Sequence, residues 1–72
     1  MEYAILATLW NGPASLAELV AGVYERTGRF SSPSLIDSHL QLFERYGFVE
    51  RTEGQAPFKL AERGSAYLAQ IA

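Results

Sequence analysis

The hydrophobic pattern of the first ten residues predicts a helix. Residues 2 to 10, EYAILATLW, carry apolar side chains at a spacing of three and four residues, which marks one helix face. These positions are Tyr3, Leu6, Ala7 and Trp10, with Ile5 and Leu9 beside them. The NGP that follows, residues 11 to 13, ends this helix because glycine favours the left-handed C-terminal conformation and proline cannot continue a helix.

A capping box predicts the start of a second helix. In residues 15 to 18, SLAE, the hydroxyl of Ser15 can accept from the amide three residues on, and Glu18 can reach back to the amide of Ser15. The helix ends near residues 27 to 28. An apolar stripe predicts the side that faces a core. Its members are Leu16, Leu19, Val20, Val23 and Tyr24.

The third helix is predicted over residues 33 to 46. Ser32 is its N-cap, Pro33 occupies the first helical position, where the missing amide costs nothing, and Gly47 ends it. The inward stripe consists of Ile36, Leu40 and Phe43, extended by Tyr46. Since a helix turns by about 100° per residue, a buried Leu40 directs the other side outward. The outward residues are Ser34, Asp37, Ser38 and Gln41.

The remaining sequence predicts a hairpin and a last helix. Residues 48 to 52 and 57 to 60 have the composition of two strands joined by the turn EGQA. The last helix has Gly64, Tyr67, Leu68 and Ile71 on one side. The predicted order is helix, helix, helix, strand, strand, helix. The fold class is therefore mainly α with a small β-hairpin.

Composition indicates one folded domain, residues 1–72. Hydrophobic residues make up 49% of the 72 residues, enough for one core, and there is no cysteine. No apolar run approaches the roughly 20 residues that span a bilayer, so we expect a cytoplasmic protein with no membrane contact. The net charge of −2 argues against a nucleic-acid partner, because nucleic-acid-binding domains usually carry a basic surface.

Three segments together resemble the PadR-like winged helix-turn-helix transcriptional regulators. They are EYAILATLWNGP at 2 to 13, YERTGRFSSPSLIDSHLQLFERYGFVER at 24 to 51 and FKLAERGSAYL at 58 to 68. The resemblance implies a winged helix-turn-helix fold and a small regulator that binds double-stranded DNA as a homodimer. Family members usually have a further C-terminal helical segment that forms the dimer. This sequence stops at Ala72, so that dimer is not carried over.

For DNA binding, we expect the third helix to enter the major groove. Gln41 can pair with adenine and Asp37 can accept from cytosine, while Ser34 and Ser38 can contact bases or phosphates. Ser32 and the helix N-terminus would meet phosphate. Three cations would hold phosphates at the edges of the groove. They are Arg29, Arg51 and Lys59.

A winged helix used for protein contact is the alternative. Asp37 and Glu53 stand where the family commonly has basic residues, and Leu42, if exposed, would point to a protein partner or a second subunit. In this interpretation the polar face is only solvated and the cations pair with Glu25, Glu44, Glu50 and Glu62. Leu35 is expected to meet the first helix inside the domain. Candidates for a contact between two copies are Tyr3, Trp10, Tyr67 and Ile71.

The adjacent Asp37, Ser38 and His39 do not predict an enzyme. Neighbouring residues on a helix point about 100° apart, so they cannot form a hydrogen-bonded relay. His39 lies beside the inward stripe and is expected to be a half-buried packing residue. With one histidine and no cysteine, no metal site or other cofactor is expected.

Overall fold

The computed structural model describes residues 1–71, which form four helices and one two-stranded antiparallel hairpin. The elements, in chain order, are α1 Glu2–Trp10, α2 Leu16–Thr27, α3 Pro33–Tyr46, β1 Val49–Arg51, β2 Phe58–Leu60 and α4 Glu62–Ile71. The predicted class and order of elements are confirmed. Both strands are shorter than predicted, with three residues each, and beyond them the Thr52 amide still donates to the Pro57 carbonyl at 2.6 Å.

The core contains side chains from all four helices and both strands, and within it α3 packs against α2 and the hairpin. Ile36 and Leu40 are fully buried and Phe43 is 4% exposed, so the predicted inward stripe of α3 is confirmed over these three residues. Leu19 and Val23 of α2 meet the same core. The burial of these five side chains fixes the rotation of α3 about its axis, and therefore which of its residues face solvent.

The predicted face of α1 is partly wrong. Leu6 and Ala7 are buried, but Tyr3 is 51% and Trp10 58% exposed, while the flanking Ile5 is fully buried. The sequence of α1 is apolar on nearly every side, so its spacing fits more than one rotation of the helix. Contacts of α1 with α2, β2 and α4 select the observed rotation.

Several large side chains on the predicted apolar faces lie on the surface, including Tyr24 and Tyr46, which were expected to face the core. Tyr24, Tyr46, Tyr67 and Ile71 are exposed at the edges of their stripes, and so is Leu35, which was expected to meet α1. A residue at the edge of a helical stripe is buried only if a neighbouring element extends over it. In a domain with so few elements, residues 1–71 cover these side chains only in part, as when Tyr67 stacks on Phe48 with ring centroids 5.0 Å apart and stays 40% exposed.

The predicted N-caps of α2 and α3 and the predicted end of α3 are confirmed. The Ser15 amide donates to Glu18 Oε1 at 2.9 Å and the Glu18 amide donates to Ser15 Oγ at 3.1 Å, which completes the capping box. Ser32 Oγ accepts from the Leu35 amide at 3.2 Å. Gly47 ends α3 with a φ of 80°, a left-handed conformation that favours glycine.

The hairpin is fixed on two sides. Arg51 pairs with Phe58 across the strands, and the backbone of Phe58 also exchanges hydrogen bonds with Ala14 at 2.9 and 3.1 Å. Gly64 of α4 packs directly on the backbone of Phe48, where a Cβ would lie 2.9 Å from the Phe48 carbonyl carbon. The hairpin is therefore held between the α1–α2 connection and α4, next to α3.

Within residues 1–71, no helix has both the length and the apolar composition that crossing a membrane requires.

Leu40→Ala should lower the free energy of unfolding by about 2–5 kcal/mol, because it leaves a cavity in a fully buried site. The control is Leu42→Ala, two residues away on α3 with 45% of its side chain exposed, which should change stability by less than about 0.5 kcal/mol. Urea unfolding followed by circular dichroism measures both. Equal losses for the two variants would contradict the assigned rotation of α3.

Acid should weaken the cap of α2. The hydrogen bond from the Ser15 amide, and then that from its hydroxyl, lowers the pKa of Glu18 below its ordinary value of 4.5. The stability that this carboxylate adds is therefore present above the unfolded pKa and is lost as the pH falls through the lower, folded pKa. Glu18→Gln should make the urea midpoint fall less steeply between about pH 6 and about pH 3 than in the unmodified protein.

Glu53→Gln is the control for this pH experiment, since Glu53 lies in the hairpin turn and makes none of these cap hydrogen bonds. Its pH profile should match that of the unmodified protein. If Glu18→Gln gave the same profile as the unmodified protein as well, the cap would not contribute to the acid dependence.

Candidate nucleic-acid interface

A row of four exposed polar residues runs along the outer side of α3. Ser34, Ser38, Gln41 and Arg45 follow one another at spacings of four, three and four residues, so they share one helix face. All four are exposed, and this face lies opposite the fully buried Leu40. We call these four residues the α3 row. The three predicted members are exposed as expected, and Arg45 is a member that the sequence analysis did not include.

The start of α3 leaves one backbone amide free for a ligand. Pro33 has no N–H, the Leu35 amide donates to Ser32 Oγ, and the Ile36 amide donates to the Ser32 carbonyl at 3.1 Å. The Ser34 amide has no acceptor within residues 1–71. Because Ser32 Oγ acts as an acceptor here, its hydroxyl hydrogen also remains available. An anion at this position would meet two donors.

Ser38 uses its hydroxyl hydrogen within the helix. Its Oγ donates to the Ser34 carbonyl at 3.0 Å, so the hydroxyl can offer only lone pairs to a ligand. The neighbouring His39 is half-buried, as predicted. Its Nδ1 lies 2.9 Å from the Leu35 carbonyl oxygen, which can only accept, so Nδ1 carries the hydrogen.

A network of charged side chains joins α3 to the hairpin. Arg51 Nε donates to Glu44 Oε1 at 2.8 Å, and Arg51 Nη2 lies 3.8 Å from Asp37 Oδ1. The other oxygen of Asp37, Oδ2, accepts from Gln41 Nε2 at 2.9 Å. Three predicted site residues therefore meet, in the order Gln41, Asp37, Arg51. We call these residues with Glu44 the α3–hairpin network.

Two carboxylates and one aromatic ring contact the guanidinium of Arg51. The hydrogen bond to Glu44 is the main cause that raises the pKa of Arg51 above its ordinary value, and Asp37 contributes in the same direction. The guanidinium also lies over the ring of Phe58, 4.8 Å from its centroid. A phosphate would have to compete with two carboxylates for this cation.

Lys59 lies away from Arg51. It pairs with Glu50 directly across the hairpin, with Nζ 3.5 Å from Glu50 Oε2. Since Arg51 pairs with Phe58 at the next position, and successive side chains of a strand point to opposite faces, Lys59 and Arg51 occupy opposite faces of the hairpin. They are not brought together as two edges of one groove.

Four arginines are left without a carboxylate within 4.0 Å in residues 1–71. Arg29 is exposed in the turn between α2 and α3, where its amide donates to Thr27 Oγ1 at 3.2 Å. Arg45 ends the α3 row. The other two, Arg26 and Arg63, lie on α2 and α4. The predicted pairing of all cations is thus correct for Arg51 and Lys59 only.

The signal that could have identified Arg45 is the spacing of the α3 row itself. Successive positions 34, 38, 41 and 45 are four, three and four residues apart, which is the spacing of a single helix face. Tyr46, the residue after Arg45, was predicted to extend the inward stripe of α3. With Tyr46 53% exposed, the end of α3 turns both residues to the surface.

A second, apolar surface lies on α1 and α4. A cleft of about 370 Å³ is bordered by Tyr3, Ala7, Trp10, Arg26 and Leu68. A neighbouring cleft of about 320 Å³ shares Tyr3 and adds Tyr46, Tyr67 and Ile71. All four residues that were suggested for contact between copies border these two clefts. We call the two together the α1–α4 surface.

No protein-family model matches this chain, and neither the curated proteins nor the solved structures with which it was compared include a match.

Glu44→Gln should lower the urea midpoint slightly at low ionic strength, since it removes the charge from the closest partner of Arg51. The difference should disappear at about 1 M salt, where interactions between exposed charges are screened. Glu50→Gln, whose partner Lys59 is more distant at 3.5 Å, is the control and should have a smaller effect. A deficit of Glu44→Gln that is unchanged by salt would mean that the charge of Glu44 contributes nothing.

Proposed function

We propose that this protein is a small PadR-like transcriptional regulator with a winged helix-turn-helix fold that binds duplex DNA as a homodimer. In this proposal α2 and α3 form the helix-turn-helix and the hairpin is the wing. The observation that carries it is the α3 row. Its members are exposed and lie opposite the buried stripe of Ile36, Leu40 and Phe43. The row begins beside two free hydrogen-bond donors at the start of α3.

The α3 row has the chemistry of a surface that enters a major groove. The Ser34 amide and the Ser32 hydroxyl are donors suited to a backbone phosphate, and the partial positive charge of the helix N-terminus favours the same ligand. In this proposal Gln41, near the middle of the row, contacts base edges. Arg45 at one end and Arg29 before the helix supply cations that no carboxylate engages within residues 1–71.

Two copies are part of the proposal because one copy has few available cations. Each phosphate contact contributes to a salt-dependent affinity, so a single α3 row would bind weakly. The α1–α4 surface supplies a contact area, since exposed apolar clusters on small proteins are typical of association sites. A symmetric dimer would place its two copies of α3 in successive major grooves, about 34 Å apart.

The α3–hairpin network supports a second candidate, a winged helix that binds a protein. Asp37 and Glu44 engage Arg51, and Glu50 engages Lys59, so the hairpin offers little positive charge to DNA. Leu35 and Leu42 are 44% and 45% exposed on the flank of α3 next to the row. Apolar side chains at that spacing suit a protein partner better than a phosphate backbone.

Fluorescence anisotropy with a labelled mixed-sequence duplex at low salt tests the proposal. We expect binding that weakens as salt rises, and Arg45→Ala should weaken it roughly tenfold on every sequence while lowering the salt slope by about one. Arg63→Ala is the control. It removes the same charge, also without a carboxylate partner, but lies on α4 beside Phe48.

The two candidates predict different results in this titration. If the unmodified protein binds no duplex at about 100 µM, the upper range of ordinary non-specific binding, the DNA proposal is wrong and the protein-binding candidate replaces it. If Arg45→Ala and Arg63→Ala weaken binding equally, DNA is bound but the α3 row is not the interface. Light scattering at the same concentrations counts the copies.

A further inference from the structure

The side-chain amide of Gln41 is oriented by one hydrogen bond. Its Nε2 donates to Asp37 Oδ2 at 2.9 Å, one helical turn earlier. A carboxylate accepts hydrogen bonds and does not donate, so the end of the amide that faces Asp37 must be the NH2 group. The amide oxygen of Gln41 then points away from Asp37. An exposed glutamine without such a partner would rotate freely about its last bond.

Asp37 is itself held in place by contacts that lead back to the core. Its Oδ1 lies 3.8 Å from Arg51 Nη2, and Arg51 is fixed by the 2.8 Å hydrogen bond to Glu44. The guanidinium lies over the ring of Phe58, which is 4% exposed. The backbone of Phe58 is hydrogen-bonded to that of Ala14. A continuous set of contacts therefore joins the buried Phe58 to the amide of Gln41.

The hydrogen bond leaves a defined pair of groups on Gln41. Asp37 accepts one of the two hydrogens on Nε2, and the other stays free. The inference requires that Asp37 takes the hydrogen on the Cγ side, so that the free hydrogen lies beside the amide oxygen. One donor next to one acceptor is the arrangement that pairs with N7 and the N6 amino group of adenine in the major groove. The contact with Asp37 is compatible with this pairing and fixes which end of the amide donates.

We infer that Asp37 is a positioning residue that orients the amide of Gln41 for adenine and does not itself contact a base. This inference rests on the proposed function. It differs from the expectation, drawn from the sequence, that Asp37 accepts from cytosine. It also explains why a negative charge stands beside a DNA-facing row: Asp37 reduces affinity by repelling phosphate but increases discrimination by preventing the amide from turning over.

Asp37→Asn and Asp37→Ala separate the hydrogen bond from the charge. Both remove one negative charge and leave the half-exposed site free of added bulk, but only asparagine keeps an oxygen that can accept from Gln41. Each variant, with the unmodified protein and Gln41→Ala, is used to select duplexes from a randomised pool. The affinities for the selected duplex and for its single-pair variants are then measured by anisotropy.

We expect both Asp37 variants to bind mixed-sequence duplex more tightly than the unmodified protein, because each removes a charge that repels phosphate. At one adenine position the unmodified protein and Asp37→Asn should keep a preference of roughly tenfold or more, the size of a bidentate base contact. Asp37→Ala should lose that preference to the level of Gln41→Ala, while preferences at other positions remain.

A second measurement does not require DNA. The heteronuclear NOE of the side-chain ¹⁵NH2 groups should be higher for Gln41 than for Gln55 and Gln70, two exposed glutamines with no hydrogen bond from their side chains in residues 1–71. Asp37→Asn should keep the high value, and Asp37→Ala should reduce it to that of the other two. Thermal unfolding of each variant verifies that it is folded.

Two outcomes would overturn the inference while leaving the proposed function intact. In the first, Asp37→Ala keeps the adenine preference, so that Gln41 needs no orientation. In the second, Asp37→Asn loses the preference together with Asp37→Ala, so that the charge matters and the hydrogen bond does not. If the unmodified protein selects no duplex at all, the proposed function fails and the inference fails with it, even if the NMR measurement shows an ordered amide.

Discussion

The burial of Ile36, Leu40 and Phe43 is the constraint on which the rest of the structure depends. These side chains are 0%, 0% and 4% exposed, and together they determine how α3 is rotated about its axis. If α3 were rotated about its axis by one residue, part of the α3 row would be buried and these three apolar side chains would be exposed. Because apolar burial is worth about 25 cal/mol per Å², that alternative is strongly disfavoured and the outward face of α3 is well defined.

The hairpin makes the second decisive contribution, since it brings Arg51 to the carboxylates of α3. The backbone of Phe58 forms two hydrogen bonds with that of Ala14, and Arg51 is its partner across the strands. The guanidinium is therefore directed toward Asp37 and Glu44. The charge of Arg51 is paired with carboxylates within the protein. In a chain of net charge −2, the proposed contact with DNA would therefore depend on a few other arginines.

The size of the domain explains its exposed apolar surface. Within residues 1–71, ten large hydrophobic side chains are at least 40% exposed. A domain of 72 residues has little interior relative to its surface, so amphipathic helices cannot cover all of their stripes. On α1 and α4 the uncovered side chains border two neighbouring clefts, which the proposed dimer would cover with a second copy of the chain. The protein-binding candidate depends on a different exposed apolar pair, Leu35 and Leu42 of α3.

The sequence by itself determined the order of the elements and the ends of the first three helices, because caps, glycines and the stripe of α3 act locally. The capping box at Ser15 and the stop at Gly47 could both be predicted from neighbouring residues. Tertiary structure decided the rotation of α1 and the pairing of Arg51, since both depend on contacts between distant segments. An all-round apolar helix carries no local signal for its rotation, and the partner of a charge is fixed only when the hairpin folds back on α3.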